Sequence, residues 1–237
     1  MNVVIIGATS AIAQEVAKLY AKAGASLFLV ARDEAKLHAV AADLRVRGAY
    51  DVDTFVADLA DRSRDAAIVA TAGAPDVVLI AHGSLPDQRV VELNAAAQVA
   101  EFELNATSVI ALTAHFANVL EQNRRGTLAV IGSVAGDRGR RSNYIYGAAK
   151  AAVHAFCEGL RGRLAESGVN VVLIKPGWVD TPMTGAIKKN PLFASAASVA
   201  RDIHRAIARN RGIVYTPGYW RWIALIVKML PARFVKF

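Results

Sequence analysis

The chain has 237 residues, 54% of them hydrophobic, a formal net charge of +8 and a single cysteine. That length suits one large α/β domain, and a lone Cys157 excludes a disulfide framework or a cysteine-rich metal centre, with a reducing cytoplasmic setting as the simplest match. From Thr181 onward there are ten Lys/Arg and one acid, Asp202, so the body is nearly neutral, which argues against a nucleic-acid-binding surface and for an anionic contact at one end.

Residues 2–6 are a short β-branched run that reads as a buried strand and is too short for the apolar region of a secretory signal. Gly7-Ala8-Thr9-Ser10-Ala11-Ile12-Ala13 follows, then a helical pattern to about Lys22. A strand, a tight turn of small residues and a helix offer backbone N–H groups to a pyrophosphate, here with Gly7, Thr9, Ser10 and Ile12 at the contact positions. With one glycine the motif is equally an ordinary strand–helix turn. A second strand, 26–31, ends in Arg32-Asp33, where an adenosine ribose lies in dinucleotide folds. An acid alone would accept the 2′-hydroxyl of NAD. An arginine pairs with the 2′-phosphate of NADP, so Arg32 favours NADP(H) over NAD(H). The alternative is a solvated Arg32 beside Asp33 capping a helix at 34–47. A third strand, 53–57, ends at Asp58-Leu59, and Asp58 could accept from an adenine amino group or cap a helix near 61–72. A fourth, 76–81, leads to His82-Gly83. Without metal partners, His82 reads as a wall of the cofactor pocket.

Residues 92–122 carry one long helical pattern with Asn105 inside it, where asparagine is neutral filler or a mild kink. A fifth strand, 126–132, delivers Ser133. A helix at 144–166 puts Tyr146 and Lys150 one turn apart on one face. The ammonium favours the phenolate and draws its pKa toward working pH. Ser133 beside the pair could hold a carbonyl oxygen while the phenol passes it a proton. Tyr144, the competing phenol, lies on a different face. Arg138, Arg140 and Arg141 are not needed for that chemistry; they are candidate substrate contacts or charges on a solvated turn. A sixth strand, 169–174, runs into Lys175-Pro176-Gly177-Trp178-Val179-Asp180-Thr181. Residues 184–195 read as a mobile loop, 198–209 as a helix and 212–215 as a last strand. Seven strand patterns alternating with helices predict a Rossmann-type, doubly wound parallel sheet with helices on both faces. Residues 219–237 predict a basic, aromatic helix with Trp220, Ile223, Ile226, Val227 and Leu230 on one face. It suits a headgroup interface, or packing on the body or on a second subunit. No window reaches the run of about 18 apolar residues that a spanning helix needs.

Together these residues resemble the short-chain dehydrogenase/reductase family over nearly the whole chain. The matches are the Gly7–Ala13 turn, with two alanines replacing glycines, Asn105, Ser133 with Tyr146-x-x-x-Lys150, and Pro176-Gly177 with Thr181. Where the family has Asn-Asn-Ala-Gly, this chain has Ile80-Ala81-His82-Gly83. The resemblance implies hydride transfer between a nicotinamide and a ketone or secondary alcohol. It makes Tyr146 the proton donor, Ser133 the group orienting the oxygen, Lys150 a holder of ribose hydroxyls and Asn105 the holder of a water. It places Pro176, Gly177, Val179 and Thr181 on the nicotinamide side and implies a homodimer or homotetramer. The stretch from Ser133 to Gly147 and the end from Tyr219 to Phe234 look like those of the decaprenylphosphoryl-2-keto-ribose reductases. That narrower likeness implies a polyprenyl-phosphate keto-pentose substrate, a flavin oxidase partner and a peripheral place at the inner membrane face; Arg32 departs from it. The rival expectations are a generic soluble carbonyl or 3-oxoacyl reductase and a non-catalytic dinucleotide-binding sensor.

Overall fold

The computed structural model describes residues 1–231. The first half alternates β1 (Asn2–Ile6), α1 (Ala11–Lys22), β2 (Ser26–Ala31), α2 (Glu34–Val46), β3 (Asp51–Val56), α3 (Asp65–Ala72) and β4 (Val77–Ile80). Then come α4 (Gln88–Val91), α5 (Ala95–Phe102), a π-helical turn (Glu103–Thr107), α6 (Ser108–Asn123), β5 (Gly126–Ile131) and α7 (Tyr144–Leu164). The chain continues through β6 (Val169–Pro176), β7 (Val179–Asp180), β8 (Ala194–Ser195), α8 (Ala196–Ala208), β9 (Ile213–Thr216) and α9 (Trp220–Met229).

Seven strands form one sheet in the order β3-β2-β1-β4-β5-β6-β9, every neighbouring pair parallel. Alternate residues of each strand feed opposite faces, as a period of two requires. Val3, Ile5, Leu27 and Leu29 pack with Val16, Leu37 and Ile203 from α1, α2 and α8. Val4, Ile6, Val78 and Val130 pack with Ile68, Phe116 and Val153 from α3, α6 and α7. Cys157 lies in this second core, and burial pushes its thiol up to about 12, so it stays protonated and inert. The chain leaves β1 and β4, neighbours in the sheet, in opposite directions. That switch opens a crevice at the carboxyl ends of the strands, where ligands bind in open α/β sheets.

Four predicted elements differ. The single helix at 92–122 is divided: Asn94 caps α5 by accepting from Ala97 N–H at 3.1 Å, and the π-helical turn buries Asn105 and Ala106 together. Polar caps and an inward asparagine override the uniform periodicity. β6 runs past residue 174 to Pro176 because β9 pairs with it up to Thr216, and a terminal strand proline needs no ladder donor. The C-terminal helix spans Trp220–Met229 and stops before Pro231, which cannot continue it; its expected extension over 232–237 lies outside the described residues. The 184–195 segment, expected to be a loop, returns to pair β8 with β7.

Candidate active site

All the predicted cofactor positions meet on one cleft of about 390 Å³: Gly7, Thr9, Ser10, Ile12, Arg32, Asp58, Leu59, Gly83, Pro176, Gly177, Val179 and Thr181. Gly7 has φ 81°, and a Cβ there would lie 2.6 Å from His82 N. Only glycine lets the ends of β1 and β4 approach this closely. No side chain caps α1, so its first N–H groups are left for an anion at the cleft. These residues therefore fit a dinucleotide. At the far end, Asp33 caps α2 by accepting from Lys36 N–H at 3.0 Å and pairs with the Lys36 ammonium at 2.8 Å. Arg32 is exposed along the cleft. Asp58 accepts from Ala60 N–H at 3.0 Å; the turn before α3 is capped by Asp61 instead, which accepts from Ser63 N–H. His82 lines the wall, and burial pushes it down to about 3. Its ring bonds Ser108 Oγ at 2.8 Å, and since Ser108 donates to the Leu104 carbonyl, His82 Nε2 carries the proton.

Ser133, Tyr146, Lys150 and Asn105 line the same cleft. The end of β5 presents Ser133, whose Oγ accepts from Ala135 N–H at 3.1 Å. Lys150 is 3% exposed, donates to the Ile131 carbonyl at 3.2 Å and lies 5.6 Å from the Tyr146 ring centre. Burial pushes Lys150 down to about 8. Burial also pushes Tyr146 up to about 12, partly offset by its hydrogen bond with Ser133. The expected drop of the phenol toward neutrality is thus not realised: desolvation of the phenolate outweighs the hydrogen bond from Ser133. Fully buried Asn105 accepts from Ser84 N–H at 3.0 Å and donates to Ser84 Oγ and to Glu101, fixing the Gly83–Ser84 wall.

The three arginines separate. Arg140 is half-buried on the cleft, and among the described residues it has no acidic partner. Burial disfavours its charge. Arg138 instead donates to the Leu230 carbonyl at 3.2 Å, and Arg141 is exposed; of the three candidate substrate contacts, only Arg140 lines the cleft. Helix α9 packs Trp220 and Ala224 on the body while Trp222, Leu225, Ile226 and Met229 stay exposed. The predicted apolar face is therefore split between protein and solvent. Trp220 closes over the Pro176-Gly177 turn, where a Cβ on Gly177 would lie 1.9 Å from its indole, and stacks edge-on with Trp178 at 5.7 Å.

Sequence reasoning missed a buried cluster behind Ser133. Asp137 accepts from Lys175 Nζ at 2.7 Å and Tyr215 OH at 2.8 Å, and pairs with Lys228 of α9 at 3.1 Å and with His154 Nδ1 at 3.7 Å. Burial opposes ionisation of Asp137, but the bonds from Lys175, Tyr215 and Lys228 hold its carboxyl below the usual range. A signal existed for His154: it continues the Tyr146, Lys150 spacing by another four residues on α7.

A family model described as short chain dehydrogenase matches residues 1–192. An uncharacterized oxidoreductase of Mycobacterium tuberculosis is 36% identical over 237 residues, covering 98% of this chain and 94% of that protein. One from Streptomyces coelicolor is 33% identical over 234 residues, covering 97% and 92%. A short-chain dehydrogenase from Sphingobium yanoikuyae, solved in complex with NADPH, superposes with a TM-score of 0.85 at 27% identity, over 98% of this chain and 97% of that one. A bulky-bulky ketone specific alcohol dehydrogenase from Comamonas testosteroni, at 24% identity and a TM-score of 0.83, shares the fold over 98% and 96%. The parallel sheet, the cleft at its switch point and these matches agree: the chain belongs to the short-chain dehydrogenase family and is an oxidoreductase.

Proposed function

We propose that the chain is an NADP(H)-dependent oxidoreductase that interconverts a ketone and a secondary alcohol. The observation that carries this reading is that Ser133, Tyr146 and Lys150 meet on the same cleft that extends to Arg32. When bound, the nicotinamide supplies the hydride to the carbonyl carbon, or takes it in the reverse direction. In reduction, Tyr146 gives its phenolic proton to the alkoxide oxygen as that oxygen forms. Ser133 Oγ holds the same oxygen by a hydrogen bond. Lys150 sets a buried positive charge beside the phenol and reaches for ribose hydroxyls, and Asn105 holds the wall bounding the path by which water returns the spent proton. The choice of NADP(H) follows from Asp33: its carboxylate is committed to Lys36 and the helix cap. Arg32 is left to meet a 2′-phosphate.

We extend the reading to a lipid-linked anionic substrate, a polyprenyl-phosphate keto-pentose whose keto form a flavin oxidase supplies. Arg140, without an acidic partner among the described residues, suits its phosphate. The exposed apolar face of α9 beside Arg221 suits a membrane surface, and no helix among the described residues is long and apolar enough to cross one. The test is a cofactor-oxidation screen of NADPH and NADH against keto-sugar lipids, short ketones and oxoacyl thioesters, with sedimentation on anionic vesicles. Turnover preferring NADPH supports the main reading. Turnover of small neutral ketones alone, without vesicle binding, refutes the extension. Absence of turnover with every carbonyl refutes the enzymatic reading.

A further inference from the structure

We infer that His154 is a positioning residue for Ser133, acting through the serine's backbone N–H. The inference rests on the Ser133, Tyr146 and Lys150 chemistry proposed above. At the end of β5 the sheet ladder runs out. Gly132 N–H still finds the Ile174 carbonyl at 2.7 Å, but Ser133 N–H turns to the imidazole Nε2 of His154 at 3.4 Å. A buried N–H without an acceptor is costly, so the ring supplies what the strand no longer does.

The surroundings are shaped to admit that ring. A Cβ on Gly132 would lie 2.6 Å from His154 Nε2, and one on Gly136 would lie 2.7 Å from its Cε1. The imidazole fills the space between the two glycines that bracket Ser133. The Ser133 side chain is fixed by the same turn through Ala135 N–H, so moving the main chain moves the hydroxyl.

Because Nε2 accepts, the ring proton sits on Nδ1, which faces Asp137 Oδ1 at 3.7 Å. Burial first, and then the Lys175 charge, push His154 down to about 3, which keeps it neutral in this tautomer. Asp137 already has Lys175, Tyr215 and Lys228 within 3.1 Å. Pairing with Asp137 is therefore not what the imidazole uniquely adds; its acceptor toward Ser133 is. Through Lys228 the same carboxylate ties α9 to this ring.

The test compares three full-length variants. His154→Gln keeps an acceptor, His154→Leu fills the space without one, and Tyr146→Phe is the inactive control. Each is assayed for NADPH affinity, kcat and KM on a ketone that the parent protein reduces. A misplaced reacting group costs up to about 100-fold, so His154→Leu should lose about 10–100-fold in kcat. Its KM and NADPH affinity should stay within about threefold, because substrate and cofactor contacts are unchanged. His154→Gln should regain most of that loss. Equal kcat values for Gln and Leu overturn the inference, as does a Leu variant within about twofold of the parent per NADPH-binding site. Failure of both variants to fold also overturns it, since the ring would then serve only packing. If Tyr146→Phe is active, the underlying chemistry fails instead.

Discussion

Lys150 is buried and Tyr146 half-buried against it, and their protons leave in separate ranges. Burial brings the ammonium of Lys150 down to about 8 and raises the Tyr146 phenol to about 12. Between pH 7 and pH 9 the charged fraction of Lys150 falls about tenfold while the phenol stays protonated. If reduction needs a positive charge beside the proton donor, kcat/KM must fall by that same factor of about ten, since it reports the free enzyme. The midpoint should lie near 8. The assay is the initial rate of NADPH oxidation at low ketone concentration and constant ionic strength, with a melting temperature recorded at each pH. The linkage sign separates this loss from unfolding. Folded Lys150 binds its proton less tightly than its ordinary value of 10.5, so between about 8 and 10.5 the unfolded chain holds more protons. This group's contribution to stability therefore rises with pH over that window. A profile that stays flat to about pH 10, or a limb centred where an exposed lysine titrates, refutes the reasoning.

Three other perturbations probe separate parts of the site. Arg32→Ala removes a charge-assisted bond worth about 1.5–3 kcal/mol; it should raise the NADPH KM about 10–100-fold and leave NADH within about twofold, whereas equal effects on both rule out a 2′-phosphate contact. Asp137→Ala strands the ammonium of Lys175, whose side chain is only 4% exposed. Urea unfolding should show a loss of about 3–5 kcal/mol, and a loss below about 1 kcal/mol contradicts the buried-hub description. Gly83→Ala places a Cβ 2.6 Å from Asn105 Oδ1 at a backbone φ of 148°. It should cost about 1–3 kcal/mol of stability together with most of the activity, and parental turnover would show that the Gly83–Ser84 wall is not needed.

The strands and their alternation with helices were legible because both faces of the sheet are buried and the β-branched runs are short and bounded. That Ser133, Tyr146 and Lys150 share one cleft was legible because residue type and spacing single them out. Asn105 was visible as a family match, but not its part in a π-helical turn, since its amide bonds Ser84, which lies outside a helical pattern that looks continuous, as well as Glu101 one turn before it. Asp33 as a cap could be read locally, from the helix that follows it. Asp137 could not: its partners Lys175, Tyr215 and Lys228 come from three later elements that only the sheet order brings together. The split of the arginines has the same cause, because Arg138 is taken by a carbonyl at the far end of the chain. Nor does helical periodicity say which apolar face of α9 the body covers; that depends on Gly177 leaving room for Trp220.

Replacement of Tyr146 by phenylalanine tests the carbonyl chemistry most directly. The variant removes one oxygen from the cleft that Ser133 and Lys150 share and leaves the Gly7–Ile12 turn and Arg32 untouched. With NADPH and any ketone the parent protein reduces, turnover should fall at least about 100-fold, while NADPH binding, followed by its fluorescence, stays within about twofold. Turnover at the parental rate with unchanged NADPH binding would contradict proton donation by Tyr146, and with it the assignment of this cleft as the reacting centre.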